Sequence, residues 1–190
     1  IKQLLPKADA ILVGGGILTT YLAGAGYGVG ASLVDKEFLK EAVVYGKKKK
    51  VILPLDVIVG KKDGTGVRVV SLEKKPHVIC KKTEAIFDIG PASIGLFASY
   101  IKTANTLVWN GAMGYFEQKP YDVGTLSLAR LVASRSKGPA FGVIGGGETV
   151  QAMELVDMTD SIDLVSTGGG AMLEYLSGKK LPGVVAVQTK

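Results

Sequence analysis

The sequence predicts an α/β fold of the Rossmann-like type, in which a parallel sheet carries helices on both faces and so forms three layers. Two observations support this prediction. Short apolar runs alternate with helix-like runs, and three of the apolar runs are followed by a glycine triplet. A buried parallel strand reads as a short apolar run, and glycine at its carboxyl end lets the backbone turn sharply into a helix. The composition agrees, with 47% hydrophobic and 21% charged residues and 26 glycines among 190 residues.

The predicted elements alternate from the amino to the carboxyl end. Short apolar runs predict strands at residues 10–13, 51–55, 86–89, 106–109, 140–144 and 163–166. The stretches between and after them predict helices at residues 18–25, 36–45, 93–103, 124–134, 149–155 and 171–176. Right-handed crossovers then place the carboxyl ends of the strands along one edge of the sheet.

Residues 56–71 depart from this alternation. Two apolar runs, residues 56–60 and 67–71, flank a stretch that contains the turn signal Asp63-Gly64. We expect a small antiparallel hairpin beside the main sheet. The sequence shows no linker, so residues 1–190 are predicted to form a single domain.

Charge and composition disfavour several classes of partner. The net charge is +6, but the lysines cluster at segment ends without interleaved aromatic residues, which favours a hydrated surface over a nucleic-acid groove. No apolar stretch approaches the roughly 20 residues that span a bilayer, so we expect no membrane partner. There is no signal-peptide pattern, and the single Cys80 fits a reducing compartment, so we expect a cytoplasmic protein. The sequence does not begin with methionine, and we expect it to be part of a longer chain.

The three glycine triplets, Gly14–Gly16, Gly145–Gly147 and Gly168–Gly170, predict an anion-binding edge. A helix amino terminus offers free N–H groups and the positive end of the helix dipole, which suit phosphate. In open parallel sheets, ligands bind at the carboxyl ends of the strands. Three such turns on one edge therefore predict a nucleotide site.

The loop from Trp109 to Glu117 follows a predicted strand at this edge. Met113 and Phe116 can offer an apolar ledge for a base, and Glu117 can accept hydrogen bonds from ribose hydroxyls. The alternative is a plain turn with an exposed acid.

The second and third triplets differ in charge. Glu148 and Thr149 follow the second triplet, and a carboxylate beside phosphate is best explained as a ligand of Mg²⁺. Ordinary helix capping is an equally open alternative there. The third triplet has no carboxylate, only N–H groups and the hydroxyls of Ser166 and Thr167, so it can hold a phosphoryl group in transfer, or Ser166 or Thr167 can simply cap the helix.

A nicotinamide-dependent oxidoreductase is the main alternative. Residues 14–19 fit a degraded dinucleotide fingerprint, and Asp35 follows about 20 residues later, as a ribose-binding acid would. With one histidine, His77, and one cysteine, neither a zinc site nor a Cys–His pair is supported. The Walker and nucleophile-elbow motifs do not occur.

Taken in order, these motifs resemble the phosphoglycerate kinase family, and specifically its carboxyl-terminal, nucleotide-binding half. The segments that carry the resemblance are ILVGGG at 11–16, LPLDV at 53–57, DIGP at 88–91, VWNGAMGYFE at 108–117, IGGGET at 144–149, STGGGA at 166–171 and LPG at 181–183. They cover essentially the whole chain.

The resemblance implies a kinase of glycolysis that transfers a phosphoryl group between 1,3-bisphosphoglycerate and ADP, giving 3-phosphoglycerate and MgATP. It implies that Gly15, Gly16, Leu33 and Phe87 line an adenine pocket, that Asn110, Gly111 and Met113 border the nucleotide, and that Glu117 binds ribose. It further implies nucleotide contacts at Gly145, Gly146, Gly147 and Thr149, Mg²⁺ at Glu148, and the transferring phosphoryl at Gly168, Gly169 and Gly170. A monomeric full-length protein is also implied.

Two positions depart from the family pattern, which has proline where this chain has Ala112 and aspartate where it has Glu148. Proline fixes its own φ, so we expect a less rigid loop at Ala112. The extra methylene of Glu148 moves its carboxylate outward by about 1.5 Å, roughly one bond length. The family's other half, which binds phosphoglycerate, is not represented in this sequence, so we expect nucleotide binding without turnover.

Overall fold

Short apolar strands and helices alternate through the computed structural model, which describes residues 1–188. The strands are β1 (Ile11–Leu12), β2 (Gly28–Val29), β3 (Val51–Ile52), β4 (Asp56–Gly60), β5 (Arg68–Ser71), β6 (Val78–Cys80), β7 (Ala85–Ile89), β8 (Thr106–Asn110), β9 (Phe141–Gly145) and β10 (Leu164–Ser166). The α-helices are α1 (Gly15–Gly24), α2 (Leu39–Gly46), α3 (Pro91–Thr103), α4 (Val123–Ser136), α5 (Gly147–Leu155), α6 (Gly169–Leu176) and α7 (Pro182–Gln188). Short 3-10 helices cover Lys36–Phe38 and Thr159–Ser161.

Three of the parallel strands end at a common level. β8, β9 and β10 form one parallel sheet in which Asn110 lies opposite Gly145, and Gly145 lies opposite Ser166. β1 pairs in parallel with β3, and β2 pairs in parallel with β6. Helices α4, α5 and α6 all contact β9. The predicted fold class, an α/β fold with parallel strands flanked by helices, is therefore confirmed.

A separate antiparallel sheet has the strand order β5-β4-β7. The predicted hairpin is confirmed, since β4 and β5 pair in antiparallel register from Asp56 opposite Ser71 to Val59 opposite Arg68. The strand predicted at residues 86–89 exists as β7, but its assignment to the parallel sheet was wrong, because β7 pairs antiparallel with β4. An apolar run reports that a strand is buried and says nothing about the direction of its partner.

Three helices begin earlier than predicted, inside the glycine triplets. Helices α1, α5 and α6 start at Gly15, Gly147 and Gly169. The triplets thus supply the first turn of each helix as well as the connection to it. The sequence analysis missed the short elements β2, β6 and α7, whose two to seven residues carry too little pattern to detect.

The larger hydrophobic core lies between the β8–β9–β10 sheet and helices α3, α4 and α5. Its main buried side chains are those of Phe97, Trp109, Leu128, Ile144 and Met153. A second core lies under α1 and the antiparallel sheet. Within residues 1–188, no helix combines the length and apolarity that crossing a membrane requires.

Candidate functional site

The first glycine turn lies directly against the loop that follows β8. The backbone N–H of Gly15 donates to the carbonyl oxygen of Met113 at 3.0 Å. A Cβ atom on Gly14 would lie 2.6 Å from the sulfur of Met113, and Gly15 has a φ of +52°, which disfavours other residues. The close approach of these two segments therefore depends on glycine.

The second and third glycine turns meet around Asn110. A Cβ on Gly169 would lie 2.5 Å from the Cα of Gly146 and 3.2 Å from Nδ2 of Asn110. The same Nδ2 donates to the carbonyl oxygen of Gly169 at 3.5 Å. Asn110 ends β8, so all three predicted glycine turns converge on the end of this strand and its loop.

Hydrogen bonds fix the loop after β8. The N–H of Gly111 donates to Oγ1 of Thr149 at 2.7 Å, and the indole N–H of Trp109 donates to the carbonyl oxygen of Gly111 at 2.8 Å. The N–H of Met113 donates to Oγ1 of Thr125 at 3.1 Å. Both threonines are fully buried. The loop is thus held by α4 and α5.

An open cavity of about 1030 Å³ lies between the first glycine turn, the loop after β8 and the segment around the 3-10 helix Lys36–Phe38. Six residues predicted from the sequence line it, namely Gly16, Leu33, Asn110, Gly111, Met113 and Glu148. Gly15 lies between two lining residues, Gly14 and Gly16. A cavity of this size, lined by both apolar and polar side chains, suits a small organic ligand.

The charged groups at the cavity have mixed signs. Lys2 and Lys36 are accompanied by the carboxylates of Asp35, Glu37, Glu41 and Glu148. Recognition of an anion would therefore depend on the helix termini more than on side-chain cations. Helices α1 and α5 both begin beside the cavity, and neither amino terminus has a side-chain cap.

A metal ion would have Glu148 as its carboxylate. Glu148 lies in the first turn of α5, is exposed, and lines the cavity. Among residues 1–188, no group of three or more His, Cys, Asp or Glu side chains is arranged so that it could hold a metal ion. The residues thus fit Mg²⁺ held by one carboxylate, phosphate oxygens and water, and they do not form a closed protein cage.

Several predicted residues lie next to the cavity or away from it. Phe87 is on β7, and its ring stacks on that of Tyr121 with centroids 4.6 Å apart. Glu117 is exposed beyond the buried Phe116. Within the described part of the chain, the cavity lining does not include Phe87, Glu117, Gly145, Gly146, Gly147, Thr149, Gly168, Gly169 or Gly170. Gly145, Gly146 and Gly169 lie against the lining residue Asn110, and Thr149 accepts a hydrogen bond from the lining residue Gly111. The ligand roles of all nine residues stay predictions.

Asp88, which the sequence analysis assigned no role, lies beneath the same loop. Its side chain is buried and accepts the N–H of Gly124 at 2.6 Å and that of Ile89 at 2.8 Å. Burial raises the pKa of this carboxyl from 3.8 to about 7, the two backbone hydrogen bonds oppose the rise, and the nearby charge of Asp122 adds to it. A charged residue inside the apolar run of β7 was the signal that could have pointed to it.

The sequence analysis also missed one wall of the cavity. Phe38, Glu41 and Tyr45 line it, and Phe38 is 52% exposed. Asp35 was the available signal: it lines the cavity, and its carboxylate accepts the N–H of Glu37 at 3.1 Å. Residues 31–34 form no strand, so Asp35 does not end a parallel strand as the dinucleotide fingerprint requires.

Comparisons with known proteins agree on one family. The sequence model of the family described as "Phosphoglycerate kinase" matches residues 1–179. The chain is 42% identical over 193 residues to the phosphoglycerate kinase of Frankia casuarinae, covering 98% of this chain and 46% of the relative. It is 38% identical over 195 residues to that of Thermosipho africanus, covering 100% of this chain and 48% of the relative.

Solved structures give the same result. Phosphoglycerate kinase from Coxiella burnetii superposes with a TM-score of 0.83 at 37% identity, covering 97% of this chain and 47% of that one. The enzyme from Pyrococcus horikoshii gives 0.79 at 26% identity, covering 98% and 47%. The chain spans about half the length of the curated relatives it matches. From the family match along residues 1–179 and the agreement of sequence and fold, this chain belongs to the phosphoglycerate kinase family.

Proposed function

We propose that this chain is the nucleotide-binding, carboxyl-terminal half of a glycolytic phosphotransferase. It would form one domain over residues 1–190 and hold MgADP or MgATP. The observation that carries this proposal is the convergence of three glycine turns on the Asn110 end of β8, beside a cavity large enough for a nucleotide. Family membership supports the reaction, which is phosphoryl transfer between 1,3-bisphosphoglycerate and ADP to give 3-phosphoglycerate and ATP.

The base and ribose are assigned to the wall built by the first turn and the β8 loop. Gly16, Leu33 and Met113 offer an apolar surface for adenine, with Gly15 beside them in the first turn, and Asn110 and Gly111 border the nucleotide. The ribose contact of Glu117 requires the nucleotide to reach past buried Phe116. The adenine contact of Phe87 has the least structural support, because its ring already stacks on Tyr121.

The phosphates are assigned to the amino termini of α5 and α6. Gly145–Gly147 and Gly168–Gly170 lead into these helices, whose free N–H groups suit the charge that develops on a transferring phosphoryl group. In the forward direction a β-phosphate oxygen of ADP forms the new P–O bond. The bond between phosphorus and the acyl oxygen breaks, and 3-phosphoglycerate leaves as a carboxylate. The residues of this chain orient and stabilise the nucleotide side of this exchange.

Mg²⁺ is the cofactor that this site would use. Glu148 would hold it together with phosphate oxygens and water. When bound, the ion neutralises phosphate charge. Buried Thr149 positions the loop through its bond to Gly111, beside the assigned metal ligand.

The remaining partners follow from the family. Phosphoglycerate would bind the other half of the protein, and we propose a cytoplasmic, monomeric full-length enzyme with neither nucleic acid nor membrane as a partner. The 190-residue chain alone should show no measurable phosphoryl transfer, because the reactants are not positioned together. A coupled assay of ATP formation from 1,3-bisphosphoglycerate and ADP measures this, and activity of the purified chain would mean that the phosphoglycerate site has been misplaced.

Separate calorimetric titrations with ADP, ATP and NAD test the ligand class. We expect ADP and ATP to bind with Kd values of roughly micromolar to millimolar, as for half of a composite site. Tyr175→Ala, at an exposed position outside the cavity lining, is the control and should leave binding unchanged. Tighter binding of NAD than of ADP would replace the phosphotransferase proposal with the oxidoreductase alternative.

A further inference from the structure

The peptide unit that joins Asn110 to Gly111 combines a reactive sequence with an open position. The chain has two asparagines, and only Asn110 is followed by glycine. Glycine has no side chain to shield its backbone nitrogen from the preceding asparagine amide, so this pair of residues can cyclise. Gly111 has a φ of +98°, and a Cβ atom there would meet none of the described residues within 4 Å. Both residues line the cavity, through which water can enter and ammonia can leave.

Thr149 occupies the position at which the ring would close. Cyclisation joins the backbone nitrogen of Gly111 to Cγ of Asn110, and the new bond lies in the peptide plane, where the N–H bond was. That N–H instead donates to Oγ1 of Thr149 at 2.7 Å. Thr149 is fully buried in the first turn of α5, so its hydroxyl has a fixed place. The hydrogen bond must break before the ring can form.

Contacts on both sides hold the two residues in this arrangement. The indole N–H of Trp109 donates to the carbonyl oxygen of Gly111 at 2.8 Å. On the other side, Nδ2 of Asn110 donates to the carbonyl oxygen of Gly169 at 3.5 Å, and a Cβ on Gly146 would lie 3.7 Å from Cγ of Asn110. The asparagine amide is therefore packed against the second and third glycine turns, while the N–H that it would replace is directed at α5.

We propose that Asn110 is a deamidation site and that Thr149 restrains its reaction. In the first step, the nitrogen of Gly111 gives up its proton and bonds to Cγ of Asn110, and the bond from Cγ to Nδ2 breaks. Nδ2 takes up a proton and leaves as ammonia, which produces a succinimide. Water then adds across one of the two ring C–N bonds at position 110. Breaking the bond to Cγ gives aspartate, and breaking the bond to the backbone carbonyl carbon gives isoaspartate.

Either product changes the edge at which the glycine turns meet. The neutral amide of Asn110, which lies against Gly146 and Gly169, is replaced by a carboxylate. This negative charge repels other anions at the cavity. Isoaspartate also inserts a methylene into the backbone at the end of β8. The proposal goes beyond the proposed function, because deamidation requires neither a nucleotide nor a metal ion.

The first test compares the folded 190-residue chain with the same chain unfolded in urea, both incubated at mildly alkaline pH. Mass spectrometry of the digested chain follows the loss of each asparagine amide and distinguishes aspartate from isoaspartate by fragmentation. We expect Asn110 to deamidate readily in the unfolded chain and at least about tenfold more slowly in the folded chain, where reaction requires local opening. Asn105, which precedes the β-branched Thr106, is the internal control and should stay largely intact in both. Equal rates for Asn110 in the folded and unfolded chains would overturn the proposal.

Two buried threonines provide a matched pair of variants. Thr149→Val removes the acceptor of the Gly111 N–H, and Thr125→Val removes the acceptor of the Met113 N–H in the same loop. Both threonines are fully buried, so the two variants should lose similar stability. We expect Thr149→Val to speed deamidation of Asn110 about tenfold, and Thr125→Val to change it much less. Thr149→Ser keeps the hydroxyl and should keep the slow rate.

Two outcomes of the variant experiment would contradict the role of Thr149. An unchanged rate in Thr149→Val would show that its hydroxyl restrains nothing, and equal acceleration in Thr149→Val and Thr125→Val would show that any loosening of the loop has the same effect. If Thr149→Val does not fold, amide hydrogen exchange of Gly111 in the native chain decides the matter. Exchange much slower than in the unfolded chain supports the restraint, and exchange as fast as in the unfolded chain would overturn it.

Discussion

Two carboxylates lie near the loop that follows β8, and their surroundings differ completely. Glu148 is exposed in the first turn of α5 and lines the cavity. Asp88 is 1% exposed beneath the loop and accepts two backbone N–H groups. The carboxylate of Glu148 is accessible from the cavity, whereas that of Asp88 is buried and bonded to the backbone. Both side chains carry the same chemical group, a carboxyl, and its location decides whether a ligand could reach it.

The largest expected effect is on the pH dependence of stability through Asp88. Its pKa is raised from 3.8 to about 7 in the folded state, mainly by burial. Between these values the folded state binds more protons than the unfolded state, so the free energy of unfolding falls as pH rises from about 4 to about 7. The contribution of this group is roughly 4 kcal/mol over that range.

Urea denaturation of the native chain and of Asp88→Asn, at intervals from pH 4 to pH 8, measures this effect. The stability of the native chain should decline relative to that of Asp88→Asn as pH rises, and the difference should become constant above about pH 7. Asp122→Asn is the control, because it removes a charge that raises the pKa of Asp88 and should shift the decline to lower pH. Parallel profiles for the native chain and Asp88→Asn would show that Asp88 is not the titrating group.

Truncation of the two carboxylates should separate them by their effect on stability. At pH 5, where Asp88 is mostly protonated, Asp88→Ala leaves the N–H groups of Gly124 and Ile89 buried without an acceptor and should lower the free energy of unfolding by about 3 kcal/mol. Glu148→Ala removes only an exposed acid at a helix start and should change it by less than about 1 kcal/mol. Equal losses in urea denaturation would contradict the contrast between support and ligand contact.

The metal dependence of nucleotide binding should follow Glu148. Phosphates beside a helix-start carboxylate are repelled unless a cation lies between them, so Mg²⁺ should strengthen ADP binding to the native chain, by roughly tenfold. Glu148→Ala should weaken that dependence and can even improve binding without metal, because a like charge is removed. Glu148→Asp should preserve the coupling. If calorimetry finds the same Mg²⁺ dependence in native and Glu148→Ala chains, Glu148 is only a helix-capping acid.

The sequence predicted those features of the fold that depend on a local pattern of residues. Glycine triplets after apolar runs predicted the strand-to-helix turns and the edge where these turns meet, because the close contacts of Gly14 and Gly169 are possible only without a Cβ. Neither the antiparallel partner of β7 nor the exposed position of Phe38 follows from local pattern. Both depend on contacts between segments far apart in the chain. The buried bonds of Asp88 to Gly124 were hidden for the same reason, since 36 residues separate the two.

The smallest expected effect on ADP binding comes from two apolar side chains, which repeat the contrast between a residue at the cavity and a residue packed away from it. Leu33 is 80% exposed at the cavity, while Phe87 stacks on Tyr121 outside it. Leu33→Ala should change the free energy of unfolding by less than about 0.5 kcal/mol, because little contact is lost, yet weaken ADP binding about threefold, because adenine loses part of its apolar surface. Phe87→Ala should lower the free energy of unfolding by about 2 kcal/mol and leave ADP affinity nearly unchanged at temperatures where the variant is folded.

The control for both measurements is Leu155→Ala, at an exposed leucine outside the cavity lining. A loss of ADP affinity in Phe87→Ala larger than that in Leu33→Ala would place Phe87 in the adenine pocket, as the family resemblance implies, and would mean that its stacking on Tyr121 is broken when nucleotide binds.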